Sequence, residues 1–194
     1  DKASKKILEV YNKLVYDIYH PREVKFFNEA TEKEEKHIYI FNLEKANRPI
    51  TFIEKYCKHS KGKWARKPII LELWQKAFIQ AVFGFVDRDT LYRKYTKVAL
   101  FIGRKNGKST LAAAIGLYML CADGEGGAEC YSVAVKKEQA KIVWDEAKKM
   151  VNKSPVLHKK IRTLINGLFY DKKEAVFKAL ASQDNSLDGL NGSF

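Results

Sequence analysis

The chain has 194 residues, of which 46% are hydrophobic and 30% are charged. These values lie close to globular averages and exclude a disordered, collagen-like or disulfide-scaffold protein. Lysine and arginine number 36 against 23 acidic residues, so the net charge is +13. Such a charge favours a phosphate-rich partner, nucleic acid or nucleotide, although a basic surface that only keeps the protein soluble accounts for it equally well.

The cysteines and the hydropathy pattern narrow the class of protein further. Cys57, Cys121 and Cys130 form no C-x-x-C pair, which is typical of buried thiols in a reducing cytoplasm. Cys57 and His59 have no second ligand pair nearby, and structural zinc usually needs four ligands. The longest apolar run, from Leu111 to Ala122, is far shorter than the roughly 20 residues of a membrane span, so we expect no membrane partner.

The first 70 residues are predicted to be mainly helical. Apolar residues recur every three to four positions from Lys2 to Tyr19, which predicts a helix. A second helix is expected between Arg22 and Glu44. Pro49 and Pro68 punctuate a basic stretch, Lys55 to Lys67, that either follows a phosphate backbone or forms a solvated loop.

An alternation of helices and strands follows. Leu71 to Phe85 has helical spacing, and Lys97 to Ile102 is a short apolar run typical of a strand buried on both faces. Ser109 to Cys121 predicts a helix, Cys130 to Val135 a strand and Lys137 to Val151 another helix. This order indicates an α/β fold with a right-handed parallel sheet.

The last part of the chain is predicted to contain short strands between Ile161 and Ala181. They are separated by one turn at Asn166-Gly167 and another at Asp171-Lys172-Lys173.

The segment between the predicted strand ending at Ile102 and the next helix has the composition of a phosphate-binding loop. Such a loop needs a glycine where the backbone passes close to phosphate, a lysine for the β and γ phosphates and a hydroxyl for Mg²⁺. Gly107, Lys108 and Ser109 supply these three parts. The helix that starts there directs its positive end toward the same anion. A nucleoside triphosphate and Mg²⁺ are therefore the expected ligands.

The loop departs from the standard G-x-x-x-x-G-K-[ST] pattern. Ile102 stands at the position of the first glycine, and the glycine comes one residue later, at Gly103. Arg104 and Lys105 add two cations beside the phosphates. Arg104 either stabilises charge that develops on the γ phosphate, as an arginine finger does, or contributes only to binding of the ground state.

Four blocks of the sequence together resemble the large terminase subunit of tailed double-stranded DNA bacteriophages. The resemblance covers roughly residues 50–194, and the order of the blocks makes it specific. The blocks are Leu71–Gln75, Gly103–Ala114, Ala134–Ala147 and Leu187–Asn191.

The resemblance implies a fold and a function. The fold is a P-loop NTPase of the additional-strand (ASCE) type, a mostly parallel sheet flanked by helices, with an incomplete ATPase core over 71–194 after a helical N-terminal extension over 1–70. The family's C-terminal nuclease, an endonuclease of RNase H-like fold, would lie outside this chain. The implied activity is ATP hydrolysis that drives double-stranded DNA into a procapsid. The implied partners are the portal protein, the small terminase subunit and further copies in a ring, in the cytoplasm of the bacterial host.

The resemblance also assigns site residues. Lys108 and Ser109 match the phosphate and magnesium positions, and Arg104 matches the arginine of the family's variant loop. Gln75, beside Trp74, matches a glutamine that reads adenine, although core packing explains Trp74 as well. The expected catalytic residues are Arg104 and Lys108, and Ser109 is the expected Mg²⁺ ligand. The ATP-binding set is Trp74, Gln75, Gly103, Arg104, Lys105, Asn106, Gly107, Lys108, Ser109 and Thr110.

The acidic Walker B strand of this family usually follows the Leu187–Asn191 block. We therefore expect it at or beyond Phe194, and we expect this chain to bind ATP with little turnover. Asp171, after Leu168-Phe169-Tyr170, is a weaker candidate for the magnesium-holding aspartate. Two other functions fit the sequence: a helicase-like P-loop ATPase, and a basic nucleic-acid-binding module without catalysis.

Overall fold

The computed structural model describes residues 4–28, 32–182 and 192 of the chain. Contacts divide the chain into two compact units, residues 1–50 with 72–100 and residues 51–71 with 101–194. The predicted boundary at residue 70 separates an extension from an ATPase core by function. The contact-based units do not test it, so it stays a prediction. The Leu187–Asn191 block lies outside the described residues.

The first unit combines helices with a small antiparallel sheet. Its strands have the order β1-β2-β3. The elements that begin in this unit are α1 (Lys5–Tyr19), β1 (Arg22–Asn28), β2 (Lys33–Phe41), α2 (Leu43–Tyr56), α3 (Leu73–Gly84) and β3 (Phe85–Asp87). Helices α1 and α3 confirm the predicted helices, and α3 ends at Gly84, one residue before the predicted end at Phe85.

Gly84 is required by close packing. A Cβ atom there would overlap the Phe41 ring and come within 2.9 Å of the Ala46 Cβ. Only glycine therefore lets the end of α3 approach β2 and the start of α2 this closely.

Two predictions for this unit are wrong. The helix expected between Arg22 and Glu44 is the β1-β2 hairpin, in which Val24 pairs with His37. Ile38 and Ile40 are two residues apart, the period of a strand, but the entirely charged run Lys33–Lys36 before them hides this alternation. The second concerns Pro49, which does not break the local structure. Helix α2 continues through it and lacks only the amide hydrogen bond that a proline cannot donate.

The second unit contains a four-stranded sheet and the helices packed on it. The strand order is β4-β7-β6-β5. Helices α4 and α5 pack on each other and on β7. The elements are α4 (Lys108–Cys121), β4 (Glu129–Ala134), α5 (Lys137–Lys153), α6 (Pro155–His158), β5 (Arg162–Thr163), β6 (Leu168–Tyr170) and β7 (Ala175–Ala181), with 3₁₀ turns at Gly62–Trp64 and Asp171–Lys173.

Most of the predicted alternation in this unit is confirmed, with two differences in the sheet. Among the described strands only β4 and β7 are parallel, so the sheet is mixed and a mostly parallel sheet is not confirmed. Lys97 to Ile102 is not a buried strand, since it has no strand partner among the described residues and the Phe101 side chain is 93% exposed. An apolar run favours burial, but burial on both faces requires neighbouring strands.

Helix α4 forms the centre of the second unit. Its residues from Leu111 to Leu120 are buried with the exception of Ala112, which is partly exposed. The Tyr118 ring packs edge-on against Phe52 of α2, with 5.6 Å between the ring centroids. From α5, the Trp144 Nε1 atom donates a hydrogen bond to the Phe177 carbonyl of β7 at 3.1 Å. The start of α4 is thus held by a packed core.

Within the described residues no helix combines the length and the apolarity that crossing a bilayer requires.

Candidate nucleotide-binding site

The segment before α4 is a compact turn that the side chain of Asn106 stabilises. Gly107 has a φ of +73° and Lys105 a φ of +67°, so the backbone turns through the left-handed region twice. The Asn106 Nδ2 atom donates to the carbonyls of Gly103 at 3.3 Å and Arg104 at 3.4 Å. Glycine is favoured at 107 because the left-handed conformation costs it less than other residues, although Lys105 adopts that conformation in the same turn.

The N-terminus of α4 is suited to an anion. The helix begins at Lys108 and has no acidic residue in its first turn, while Gly107 before it has no side chain with which to cap the helix. The first amides of a helix lack intrahelical acceptors, and the macrodipole adds positive potential at this end. Backbone and charge therefore both favour phosphate at this position.

The Lys108 ammonium already has an acceptor within the loop. Its Nζ atom donates to the Ile102 carbonyl at 2.8 Å, and the side chain is exposed. This bond holds the ammonium close to the loop, in the region where phosphate would bind. Arg104 and Lys105 are also exposed, so the loop presents three cations to solvent.

A cleft of about 460 Å³ opens beside the start of α4. It is lined by Ser109 and Thr110 of α4, by Asp145, Glu146 and other residues of α5, and by residues 59–61. Ser109, the expected Mg²⁺ ligand, thus faces a polar space with two carboxylates. Hydroxyl and carboxylate oxygens are ligand atoms that Mg²⁺ prefers, so the residues present fit the ion.

Glu146 is the polar centre of this cleft, and no sequence motif assigns it a role. Its carboxylate accepts hydrogen bonds from Ser60 Oγ at 2.6 and 2.7 Å and from Thr110 Oγ1 at 3.5 Å. The Lys153 ammonium donates to the Ser60 carbonyl. One signal was present in the sequence, since Glu146 lies four residues before Met150, which places a carboxylate beside the apolar face of the helix.

Trp74 and Gln75 lie on α3, in the other compact unit, whereas residues 103–110 all belong to the second unit. Gln75 Oε1 accepts the Glu72 amide hydrogen at 2.9 Å and so helps to cap α3. Trp74 is 38% exposed, more than core packing alone predicts. The proposed adenine-reading glutamine thus has a structural task as well.

Asp171 is engaged by an arginine. The Arg162 guanidinium donates to both of its carboxylate oxygens, at 2.8 and 3.0 Å. Hydrogen bonding and the charge of Arg162 lower the pKa of the Asp171 carboxyl. The preceding strand β6 runs antiparallel to β7. These features fit an exposed ion pair better than a magnesium ligand.

Cys57, Cys121 and Cys130 are not joined in disulfides. Cys57 and Cys130 are buried and Cys121 is half-buried. Burial raises the pKa of Cys57 and of Cys121 to about 12, so neither thiol ionises readily near neutral pH. Over residues 4–28, 32–182 and 192, histidine, cysteine and acidic side chains form no group of three or more that could hold a metal ion.

Comparison with known proteins identifies a family. Residues 73–194 match the family model of the terminase large subunit, ATPase domain. The chain is 32% identical over 152 residues to the large terminase subunit of Enterobacteria phage HK97, and the match covers 77% of this chain but 29% of that protein.

A solved structure agrees with this match. The crystal structure of the HK97 bacteriophage large terminase aligns with a TM-score of 0.63 at 30% identity, over 76% of this chain and 29% of that one. The family model covers more than half of the chain and includes the loop and α4. The fold is thus an α/β fold of P-loop type, and the chain belongs to the terminase large-subunit family, within its ATPase domain.

Proposed function

We propose that this chain is the ATPase part of a viral DNA-packaging motor, in which ATP hydrolysis drives double-stranded DNA into a procapsid. The observation that carries the proposal is the Gly107-Lys108-Ser109 turn at the uncapped start of a buried helix, within the part of the chain that matches the terminase ATPase family. Family membership favours this function over a helicase-like ATPase and over a basic module without catalysis.

The chemistry proposed for the loop follows from its geometry. The first amides of α4 and the Lys108 ammonium would hold the β and γ phosphates, with the Lys108 bond to Ile102 giving way to phosphate contacts. Ser109 would bind Mg²⁺, which neutralises charge between the β and γ phosphates. The Arg104 guanidinium would lie near the γ phosphate, where it stabilises either the developing charge or the bound ground state.

Several parts of the proposal concern the longer protein. The chain spans 29% of the length of the HK97 relative. We propose that the longer protein also carries an endonuclease, assembles into a ring of copies, contacts a portal protein and a small terminase subunit, and works in the cytoplasm of an infected bacterial cell. The additional-strand arrangement of the ATPase core and the boundary at residue 70 belong to the same proposal.

Lys108→Ala tests the function directly. Charge-assisted hydrogen bonds to phosphate contribute about 1.5 to 3 kcal/mol, so we expect ATP affinity to fall by roughly ten- to a hundredfold. The Lys108 side chain is exposed, so the fold should be unaffected. Equilibrium titration with a fluorescent ATP analogue measures the affinity, and circular dichroism checks the fold. Equal affinity of a folded variant and the wild type would contradict the proposal.

A further inference from the structure

The basic stretch from Lys55 to Lys67 leaves the end of α2 and forms a hairpin, which we call the basic hairpin and define as residues 57–69. The His59 amide donates to the Lys67 carbonyl, and the Arg66 amide donates to the His59 carbonyl, both at 3.0 Å. The Ile69 amide donates to the Cys57 carbonyl at 3.1 Å, and the 3₁₀ turn Gly62–Trp64 closes the tip. The stretch is therefore a fixed structure rather than a solvated coil.

The charge of the basic hairpin is of one sign. No acidic residue occurs between Glu54 and Glu72. In the part of the chain that the structure describes, no carboxylate pairs with the hairpin's lysines or arginine. These residues are Lys58, Lys61, Lys63, Arg66 and Lys67, of which all but Lys58 are exposed. Their charge is thus available to an anionic partner.

Trp64 orders two of these cations. Its side chain is 52% exposed, and the ammonium groups of Lys63 and Lys67 lie 5.3 and 5.0 Å from the centroid of its ring. Cation–π attraction at such an exposed site contributes about 0.5 to 1 kcal/mol per pair. The two ammonium groups are therefore partly ordered before any partner arrives, which lowers the entropy lost on binding.

The base of the basic hairpin is anchored beside the phosphate loop. Ser60 is buried and donates to Glu146, which also accepts from Thr110 at the start of α4. Lys153 holds the Ser60 carbonyl from the same helix as Glu146. A load on the basic hairpin would therefore be borne by α5 and by the first turn of α4.

We infer that the basic hairpin binds the phosphate backbone of duplex DNA. The inference rests on the proposed function and adds the surface that contacts the DNA. Lysine and arginine bind phosphates without reading sequence, which suits a partner of any sequence. The Trp64 ring is already occupied by its own lysines, which favours backbone contact over stacking on the bases of a single strand.

The test is a fluorescence anisotropy titration of the purified chain with a labelled duplex at several salt concentrations. The hairpin variant carries Lys63→Gln, Arg66→Gln and Lys67→Gln, and its control carries Lys5→Gln, Lys6→Gln and Lys13→Gln on the exposed face of α1. Both variants lose the same charge. We expect the hairpin variant alone to bind about tenfold or more weakly, with a salt slope smaller by about 2 to 3, because each lost phosphate contact removes about 0.9.

Trp64→Ala supplies a second measurement, because it leaves the charge unchanged and removes the surface that orders two lysines. We expect a two- to fivefold loss of duplex affinity, the equivalent of about 0.5 to 1 kcal/mol. Equal losses in the hairpin variant and the α1 control would overturn the inference, as would a loss confined to single-stranded DNA.

Nucleotide binding by the same samples separates this inference from the proposed function. Wild-type chain that binds ATP but no duplex would overturn the role of the basic hairpin and leave the ATPase assignment standing. Wild-type chain that binds duplex through the basic hairpin but no ATP would overturn the ATPase and leave the DNA-binding surface.

Discussion

At the scale of single residues, Gln75 caps helix α3 in the structure and is also proposed to recognise adenine. Its Oε1 atom caps α3 by accepting the Glu72 amide hydrogen. Adenine recognition requires its Nε2 donor as well, because adenine presents both a donor and an acceptor edge. Two substitutions separate these tasks. Alanine removes both the cap and the donor, whereas glutamate keeps an oxygen for the cap and removes the donor.

We expect Gln75→Glu to reduce the preference for ATP over GTP while the melting temperature stays close to that of the wild type. Gln75→Ala should lose the preference and also about 1 kcal/mol of stability with the cap. Competition titrations with ATP and GTP and thermal unfolding measure the two effects. If both nucleotides lose affinity equally in the glutamate variant, Gln75 does not read the base.

His37 and Asp87 form a titrating pair between β2 and β3. The His37 Nδ1 atom lies 2.8 Å from Asp87 Oδ2, and Asp87 Oδ1 accepts from the amides of Asp89 and Thr90 and from the Thr90 hydroxyl. The hydrogen bond to Asp87 raises the pKa of His37 above 6.5. The Thr90 amide, together with the other donors, lowers the pKa of Asp87 from 3.8 to about 2.

These shifts predict opposite dependences at the two ends of the pH range. A raised histidine pKa stabilises the fold below pH 6.5, and that stabilisation is lost as the pH rises through the folded-state value. A lowered aspartate pKa stabilises the fold above pH 3.8, and that stabilisation is lost as the pH falls toward about 2. We expect His37→Ala to remove the decline above pH 6.5 and to keep most of the acid decline. Urea unfolding at several pH values measures both, and an unchanged alkaline decline in the variant would contradict the assignment.

At the scale of elements, Glu146 joins α5, α4 and the basic hairpin. We expect Glu146→Ala to lower the free energy of unfolding by about 2 to 3 kcal/mol, because it removes hydrogen bonds to a charged group and leaves the buried Ser60 hydroxyl without this acceptor. Asp145→Asn is the matched control, since Asp145 lines the same cleft on the same helix. The control should stay within about 0.5 kcal/mol of the wild type. Comparable losses in both variants, measured by urea unfolding, would mean that general charge on α5 matters rather than the Glu146 contacts.

The elements also show what the sequence predicts well. Helices α4 and α5 and strand β4 were predicted within two residues, because apolar runs and apolar periodicity are local properties of the chain. The phosphate-loop prediction rests on equally local information, since Gly107, Lys108 and Ser109 are contiguous, and phosphate binding there stays a prediction. The β1-β2 hairpin was missed, because dense charge hides a period of two. The run from Lys97 to Ile102 was misassigned, because its partners depend on residues distant in sequence.

The candidate site follows the same division. Residues 103–110 are contiguous in the sequence, so they could be proposed as one loop from sequence alone, and they lie at the start of α4. Ser60 and Glu146 are 86 positions apart, and only the fold brings them together. A hydrogen bond of that separation has no local signature in a single sequence.

At the scale of the whole molecule, the expected behaviour is binding of ATP with little turnover. Hydrolysis by a P-loop ATPase needs an aspartate free to hold Mg²⁺ and a residue that orients water. Asp171 is poorly placed for this role, because Mg²⁺ would first have to displace the Arg162 guanidinium from both of its oxygens.

We therefore expect negligible Mg²⁺-dependent phosphate release by this chain, with the same low rate for Asp171→Asn. A coupled phosphate assay measures the rate, and Lys108→Ala gives the background. Robust release that Asp171→Asn abolishes would instead establish Asp171 as the magnesium ligand.

The bond between Lys108 and Ile102 bears on which substitutions the loop tolerates. The acceptor is a backbone carbonyl, so every residue type at position 102 offers the same atom. Neither Ile102 nor Gly103 has a positive φ, so neither position requires glycine for its backbone conformation. At Gly103 a Cβ atom would lie 3.3 Å from Asn106 Nδ2, so a larger residue there requires the Asn106 side chain to shift by a few tenths of an ångström. Position 102 can therefore vary among side chains without loss of the ammonium's acceptor.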